Sequence, residues 1–265
     1  MSPHTSTLTD ALIHRRTKFI AENLNRLSRR QPLLNVMKQS DKIKLINTIE
    51  DAMNQAQIYK VAQFLWNAWD NGETISELPK DCRPTDRQTA YKIQKEVGKL
   101  SRSSQIGWKI AATSVNGQKH IGVPGPLAGR LLADRTKMSG DTLELGANLM
   151  GVAEAEFCFQ LGKDLPPRDT AYSIEETLEA VDTLHTAIEI PDSRYIDFVT
   201  AGETQLIADN ACASWFVLGP PTTADWRSID LRDHKVQALV NGTIVEEGIG
   251  KNVLGDPRIA LRWLV

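Results

Sequence analysis

The chain has little cysteine, no long apolar run and almost no net charge, and each absence removes a class of protein. Its three cysteines in 265 residues, Cys82, Cys158 and Cys212, form neither a CxxC pair nor an even-numbered framework, so structural zinc and disulfide scaffolding are not expected. Such cysteine usage fits the reducing cytoplasm. No stretch approaches the roughly 20 apolar residues that span a bilayer, and no signal-peptide core follows Met1, so no membrane partner is expected. A formal net charge of -2 gives no electrostatic reason for a nucleic-acid partner. With 41% apolar and 24% charged residues, the composition is that of an ordinary soluble globular protein. The phosphate-binding patterns GxGxxG and GxxxxGK[ST] are also missing. The glycine-rich stretch His120 to Asp134, HIGVPGPLAGRLLAD, therefore reads as a loop that lets backbone approach a ligand.

The small net charge hides an asymmetry. Residues 1–60 hold 10 Lys and Arg against 5 Asp and Glu, whereas the remainder holds 21 against 28. Asp10 and Glu22 interrupt the basic start, so it reads as a solvated helical face and not as a transit peptide or nucleic-acid arm. Helical spacing recurs from Asp10 to Leu27, closed by Pro32, and again from about Asp41 to Asn71, with Val61, Phe64, Leu65 and Trp69 among the candidate buried positions. Thr85-x-x-Gln88 then predicts a capped helix with Ala90, Tyr91, Ile93 and Val97 inward. From Gln105 the texture changes to short strands divided by Gly and Pro. The expected organisation is a helical basic extension over 1–60, a helical part over 61–104, and a β-rich domain over 105–265, an α+β fold.

Chemistry concentrates between Gly151 and Arg194. In VAEAEFCFQL, strict alternation puts Glu154, Glu156, Cys158 and Gln160 on one strand face and Ala155, Phe157, Phe159 and Leu161 on the other. At about 3.3 Å per residue the two glutamate Cα atoms lie roughly 6.6 Å apart, close enough for their side chains to close on one cation. A helix opened by the capping box Ser173-x-x-Glu176, with Ile174, Leu178 and Val181 as its stripe, leads to a second strand where His185, Ala187 and Glu189 share a face. The pattern alone leaves open that these glutamates merely face water. Lys109 sits in the apolar run Ile106 to Thr113, so its ammonium must be paired, exposed at an edge, or placed in a site. The turn Pro191-Asp192-Ser193-Arg194 can aim Arg194 back at a bound substrate. Asn241-Gly242 predicts a two-residue hairpin, and Asp256-Pro257 a helix start with Asp as N-cap.

With GWKIAATS, GPLAGRLLAD, VAEAEFCF, AIEIPDSR, IADNACAS and NVLGDPRIAL occurring in that order, the chain from about Val61 to Val265 resembles the 2-keto-4-pentenoate hydratase and 4-oxalocrotonate decarboxylase branch of the fumarylacetoacetate hydrolase superfamily. The resemblance implies a mixed, β-rich fold of that superfamily, preceded by N-terminal helices. It implies Mg²⁺ or Mn²⁺ held by Glu154, Glu156 and Glu189, and Lys109 as the catalytic residue, a proton-transfer role that calls for a depressed pKa. Asp134, Asp209 and Asn210 are implied to line the substrate site, toward which the turn at Pro191 can aim Arg194. The expected activity is hydration of 2-hydroxypenta-2,4-dienoate-like 2-oxo acids in meta-cleavage degradation of aromatics, by a homo-oligomer; the alternatives are a 4-oxalocrotonate-type decarboxylase and a non-catalytic relative. The family continues past the helix at Arg258 to Val265 into strands with a Thr-Gly segment, so a C-terminus truncated relative to the family is also expected.

Overall fold

A computed structural model describes Arg26, Arg29 and residues 39–265, with only the backbone described for 39–53. The helix expected from Asp10 to Leu27 lies almost wholly outside the described residues. The chain divides into two compact units at Asn54/Gln55, and residues 55–265 form the second. The helices of 61–104 and the strands after 105 therefore belong to one unit, because they share one core. Among the described residues no helix is long and apolar enough to cross a membrane.

Helix α1 runs Gln39–Asn71. In its second half Val61, Leu65 and Trp69 are buried, but Phe64, one residue off that stripe, is 43% exposed. They pack with Leu78, Ile93, Val97, Leu132 and Tyr195. Helix α2, Arg87–Leu100, starts one residue later than the Thr85 box implied: Asp86 is the N-cap, accepting from the Thr89 amide at 2.8 Å and from the Thr89 hydroxyl. The Asp86 carboxylate, three residues before the amide it accepts from, is a better N-cap acceptor than the Thr85 hydroxyl. From its buried face Gln94 donates to the carbonyls of Ala128 and Ile207, and Tyr91 accepts from the Ala128 amide.

Strand β1, Gln105–Ala111, pairs antiparallel with β2, Leu127–Leu132, placing Lys109 opposite Gly129. The second half of the glycine-rich stretch is thus a strand and not a loop, since Leu127, Ala128 and Leu132 are buried there. Between the two strands lies a short helix, α3, Val115–His120. A four-stranded sheet follows, formed by β3 (Thr136–Met138), β4 (Glu154–Leu161), β5 (Val181–Ile190) and β6 (Trp215–Pro221) in the order β3-β6-β5-β4. Only the β3–β6 pair is parallel. Helix α4, Ile174–Glu179, carries both hydrogen bonds of the Ser173/Glu176 capping box, and Val181 has already entered β5. Helix α5, Glu203–Ala208, is buried along Gln205 to Ala208. The hairpin of β7 (Lys235–Val240) and β8 (Thr243–Ile249) turns at Asn241-Gly242, both at positive φ as such a turn requires. Helix α6, Pro257–Leu264, has Asp256 as N-cap and Pro257 at its start.

Candidate metal centre

The register of β4 against β5 builds the centre. Glu154 lies directly opposite Glu189, and Glu156 follows two residues along the same face of β4. One carboxylate oxygen from each of the three comes within 4.8 Å of the others. Along this face Glu189 and Ala187 are buried, Glu156 is half-buried and Glu154, at the start of β4, is exposed, while on the other face Ile188 is 45% exposed. The outward turn is local to Ile188, since Leu184, earlier on β5, packs into the core with Val181, Trp226, Leu231 and Leu261.

Lys109 reaches in from β1. Its ammonium lies 3.0 Å from Glu189 Oε2 and donates to the Ala211 carbonyl at 3.1 Å. Burial works against this ammonium, but Glu189 and Glu154 outweigh it and raise its pKa. The depressed value expected from sequence is thus reversed, because the lysine sits among carboxylates. Burial and the neighbouring Glu189 push Glu156 up to about 8, and burial raises Glu189 against the pull of Lys109.

These residues fit a hard divalent cation on two counts. Glu189 Oε1 is buried without a hydrogen-bond partner, which is costly unless something else coordinates it. With all three carboxylates ionised beside one ammonium the local charge would be minus two, a state that the raised Glu156 and Glu189 show to be unfavourable without a counter-ion. At an effective dielectric near 20, two like charges about 5 Å apart repel by about 3 kcal/mol, a cost that a doubly charged ion removes. An all-oxygen donor set is the set that magnesium and manganese prefer. The centre opens into a cavity of roughly 780 Å³ whose walls include Lys109, Glu156, Glu189, Trp108, Phe216 and Leu218.

The remaining sequence candidates fall elsewhere. Asp134 is exposed in a short 3₁₀ turn, and Arg194, Asp209 and Asn210 are buried beside the centre, but none of the four lines the cavity. Arg194 donates through Nε to the Asp209 carboxylate and through Nη2 to the Asp209 carbonyl, and stacks 4.4 Å from the Trp69 ring. Asp209 also accepts from the Ser193 hydroxyl and the Arg194 amide. Burial raises the Asp209 pKa, with Arg194 opposing it. Asn210 exchanges two hydrogen bonds with the backbone of Arg130 on β2, at 2.7 and 3.0 Å. It opens a run of three left-handed, non-glycine residues, Asn210, Ala211 and Cys212, a conformation costing about 1–2 kcal/mol per residue.

Two cavity residues were not singled out by sequence. His185 is buried on the glutamate face, its Nδ1 at 2.9 Å from the Gly219 carbonyl and its Nε2 beside Thr183 and Gln160. Cys158 lies between Glu156 and Gln160. The strand alternation that located the glutamates carries both residues, since they occupy the same two faces.

No protein-family model matches the chain. It is 31% identical over 219 residues to the TodF product hydratase of Pseudomonas putida, covering 81% of this chain and 80% of that protein. It is 32% identical over 213 residues to the 2-keto-4-pentenoate hydratase of Burkholderia vietnamiensis, covering 78% of this chain and 79% of that one. Among solved structures, it resembles 4-oxalocrotonate decarboxylase from Pseudomonas putida G7 complexed with magnesium and adipate, with a TM-score of 0.67 and 25% identity over 78% of this chain and 80% of that chain.

Proposed function

Because the chain belongs to the family of 2-keto-4-pentenoate hydratases and 4-oxalocrotonate decarboxylases, we propose that it is a divalent-metal-dependent hydratase of 2-hydroxypenta-2,4-dienoate-like acids formed in meta-cleavage of aromatics. The observation that carries this reading is the register-opposed triad Glu154, Glu156 and Glu189 with the Lys109 ammonium 3.0 Å from it. The three glutamates would hold Mg²⁺ or Mn²⁺. When bound, the ion supplies the Lewis acidity that draws electrons toward a 2-oxo group and makes the vinylogous carbon electrophilic toward water. Lys109 keeps its proton at neutral pH, so it serves as a hydrogen-bond and proton donor to the oxygen on which negative charge develops. The apolar walls formed by Phe216 and Leu218 limit water around that charge and strengthen the interaction.

The test is turnover of a panel of unsaturated 2-oxo acids by metal-stripped and magnesium-supplemented protein, with product identification. Hydration is expected only with metal, and is expected to be lost in Glu154→Ala; hydration indifferent to chelator overturns the reading. The solved relative favours a second reading, decarboxylation of an oxalocrotonate-like acid, since the same electron sink supports loss of carbon dioxide. Carbon dioxide release from 4-oxalocrotonate without hydration of the dienoate would select it. The same proposal includes a homo-oligomer: Leu239, Val240, Ile244 and Val245 expose an apolar surface on the β7–β8 hairpin that a second copy would cover. Light scattering in solution checks it. The three free cysteines accord with a cytoplasmic location.

A further inference from the structure

Asn210, Ala211 and Cys212 have φ of 56°, 51° and 59°. L-residues resist this conformation, so three in succession persist only where the surroundings over-determine them. Two sets of contacts do so. Before the turn, the Asp209 carboxylate is fixed by the Ser193 hydroxyl, the Arg194 amide and the Arg194 guanidinium. On the turn itself, the Asn210 side chain accepts from the Arg130 amide and donates to the Arg130 carbonyl, clasping β2. Gly129, the next residue on β2, makes room: a Cβ there would collide with the Asn210 carbonyl oxygen and press on the Lys109 stem at 3.1 Å. What the turn delivers is one carbonyl, that of Ala211, 3.1 Å from the Lys109 ammonium.

A lysine ammonium has three donors on a flexible four-carbon stem. Two fixed acceptors, the Ala211 carbonyl and Glu189 Oε2, hold that stem in one arrangement and leave the third N–H for the cavity that Lys109 lines. We propose that Asn210 is a positioning residue: by clamping the left-handed turn to β2 it fixes the Lys109 ammonium between Ala211 and Glu189, with one donor free for the substrate. The proposal rests on the reading of Lys109 as proton donor given above. It assigns Asn210 no contact with substrate.

The experiment compares wild type with Asn210→Ala, both folded at the assay temperature. Labelling of Lys109 by acetic anhydride, read by peptide mass spectrometry on the manganese-loaded protein without substrate, is expected to rise at least threefold in the variant. The kcat for dienoate hydration is expected to fall 10- to 100-fold, with KM and the calorimetric manganese affinity within threefold of wild type. Adding Ala211→Gly, which adopts the left-handed turn without a side-chain clash, is expected to recover part of kcat. Unchanged Lys109 labelling in a folded variant overturns the proposal whatever kcat does. So does a wild-type kcat, or a kcat loss that follows a matching loss of manganese affinity. If wild type hydrates no substrate, the reaction reading fails while the labelling still decides the positioning. Should Asn210→Ala not fold, Asn210→Asp, which keeps the acceptor for the Arg130 amide, is judged by the same criteria.

Discussion

Lys109 is a buried cation facing three carboxylates, and its role separates into two measurable parts. As a like charge beside a metal it opposes binding; as a donor beside the substrate it assists turnover. Lys109→Met keeps most of the stem volume and removes one positive charge from the site. Magnesium should then bind at least tenfold tighter, since one unit charge about 5 Å away is worth about 3 kcal/mol at an effective dielectric near 20. Turnover should fall by about 10²- to 10⁴-fold, the usual contribution of a positioned proton donor. Calorimetry and initial rates on the same preparation read both effects. A weaker magnesium site in the variant would show that the lysine assembles the triad instead of opposing the ion.

At the scale of elements, the centre depends on how the turn after α5 meets β2. Gly129→Ala forces a Cβ against the Asn210 carbonyl, which belongs to a rigid turn and has no rotamer to escape into. A loss of about 1–3 kcal/mol in urea denaturation is expected, with a shift in the β1–β2 pair seen crystallographically. The Arg194–Asp209 pair is the second prop. Arg194→Met leaves Asp209 buried without its cation, which costs about 3–5 kcal/mol, whereas the double variant Arg194→Met/Asp209→Asn should lose less than the sum of the singles. An additive cycle would mean that the two side chains do not interact.

These elements also mark how far the sequence could be read. Period-two alternation placed Glu154 and Glu156 on one face and Glu189 on a second strand, because side-chain direction in a strand is a local property. It could not say which face was inner, because Ile188 looks like a core residue and instead faces outward, while Glu189 is 2% exposed. That choice is made by β1, which delivers Lys109 from a separate sheet. The left-handed turn had only a weak signature: Asn210 tolerates the conformation, but Ala211 and Cys212 do not favour it, and it is imposed by contacts from β2 and Arg194. For the same reason the pairing of Arg194, expected at the substrate from its turn, with Asp209, implied there by the resemblance, could not be read from the sequence.

At the scale of the whole molecule, the centre couples stability to pH and metal. Glu156 has an ordinary value of 4.5 and is pushed up to about 8, mainly by burial, and Glu189 is raised in the same direction. The folded protein therefore holds protons that the unfolded chain releases. Their stabilising contribution is complete below about 4.5 and is lost as pH rises through about 8. Without metal, the melting temperature should decline across that interval. Magnesium binds the ionised carboxylates, so it must displace protons at low pH and competes with none at high pH. At a hundredfold excess over Kd it adds about 2.7 kcal/mol, which at about 2–4 °C per kcal/mol for a domain of this size is about 5–10 °C. With the magnesium concentration fixed, the shift should be small at pH 6 and grow toward pH 8. Paired melts in chelator and in magnesium at pH 6, 7 and 8 measure it. A shift independent of pH, or a metal-free protein that is most stable at pH 8, would exclude Glu156 and Glu189 as the groups that exchange protons for the ion.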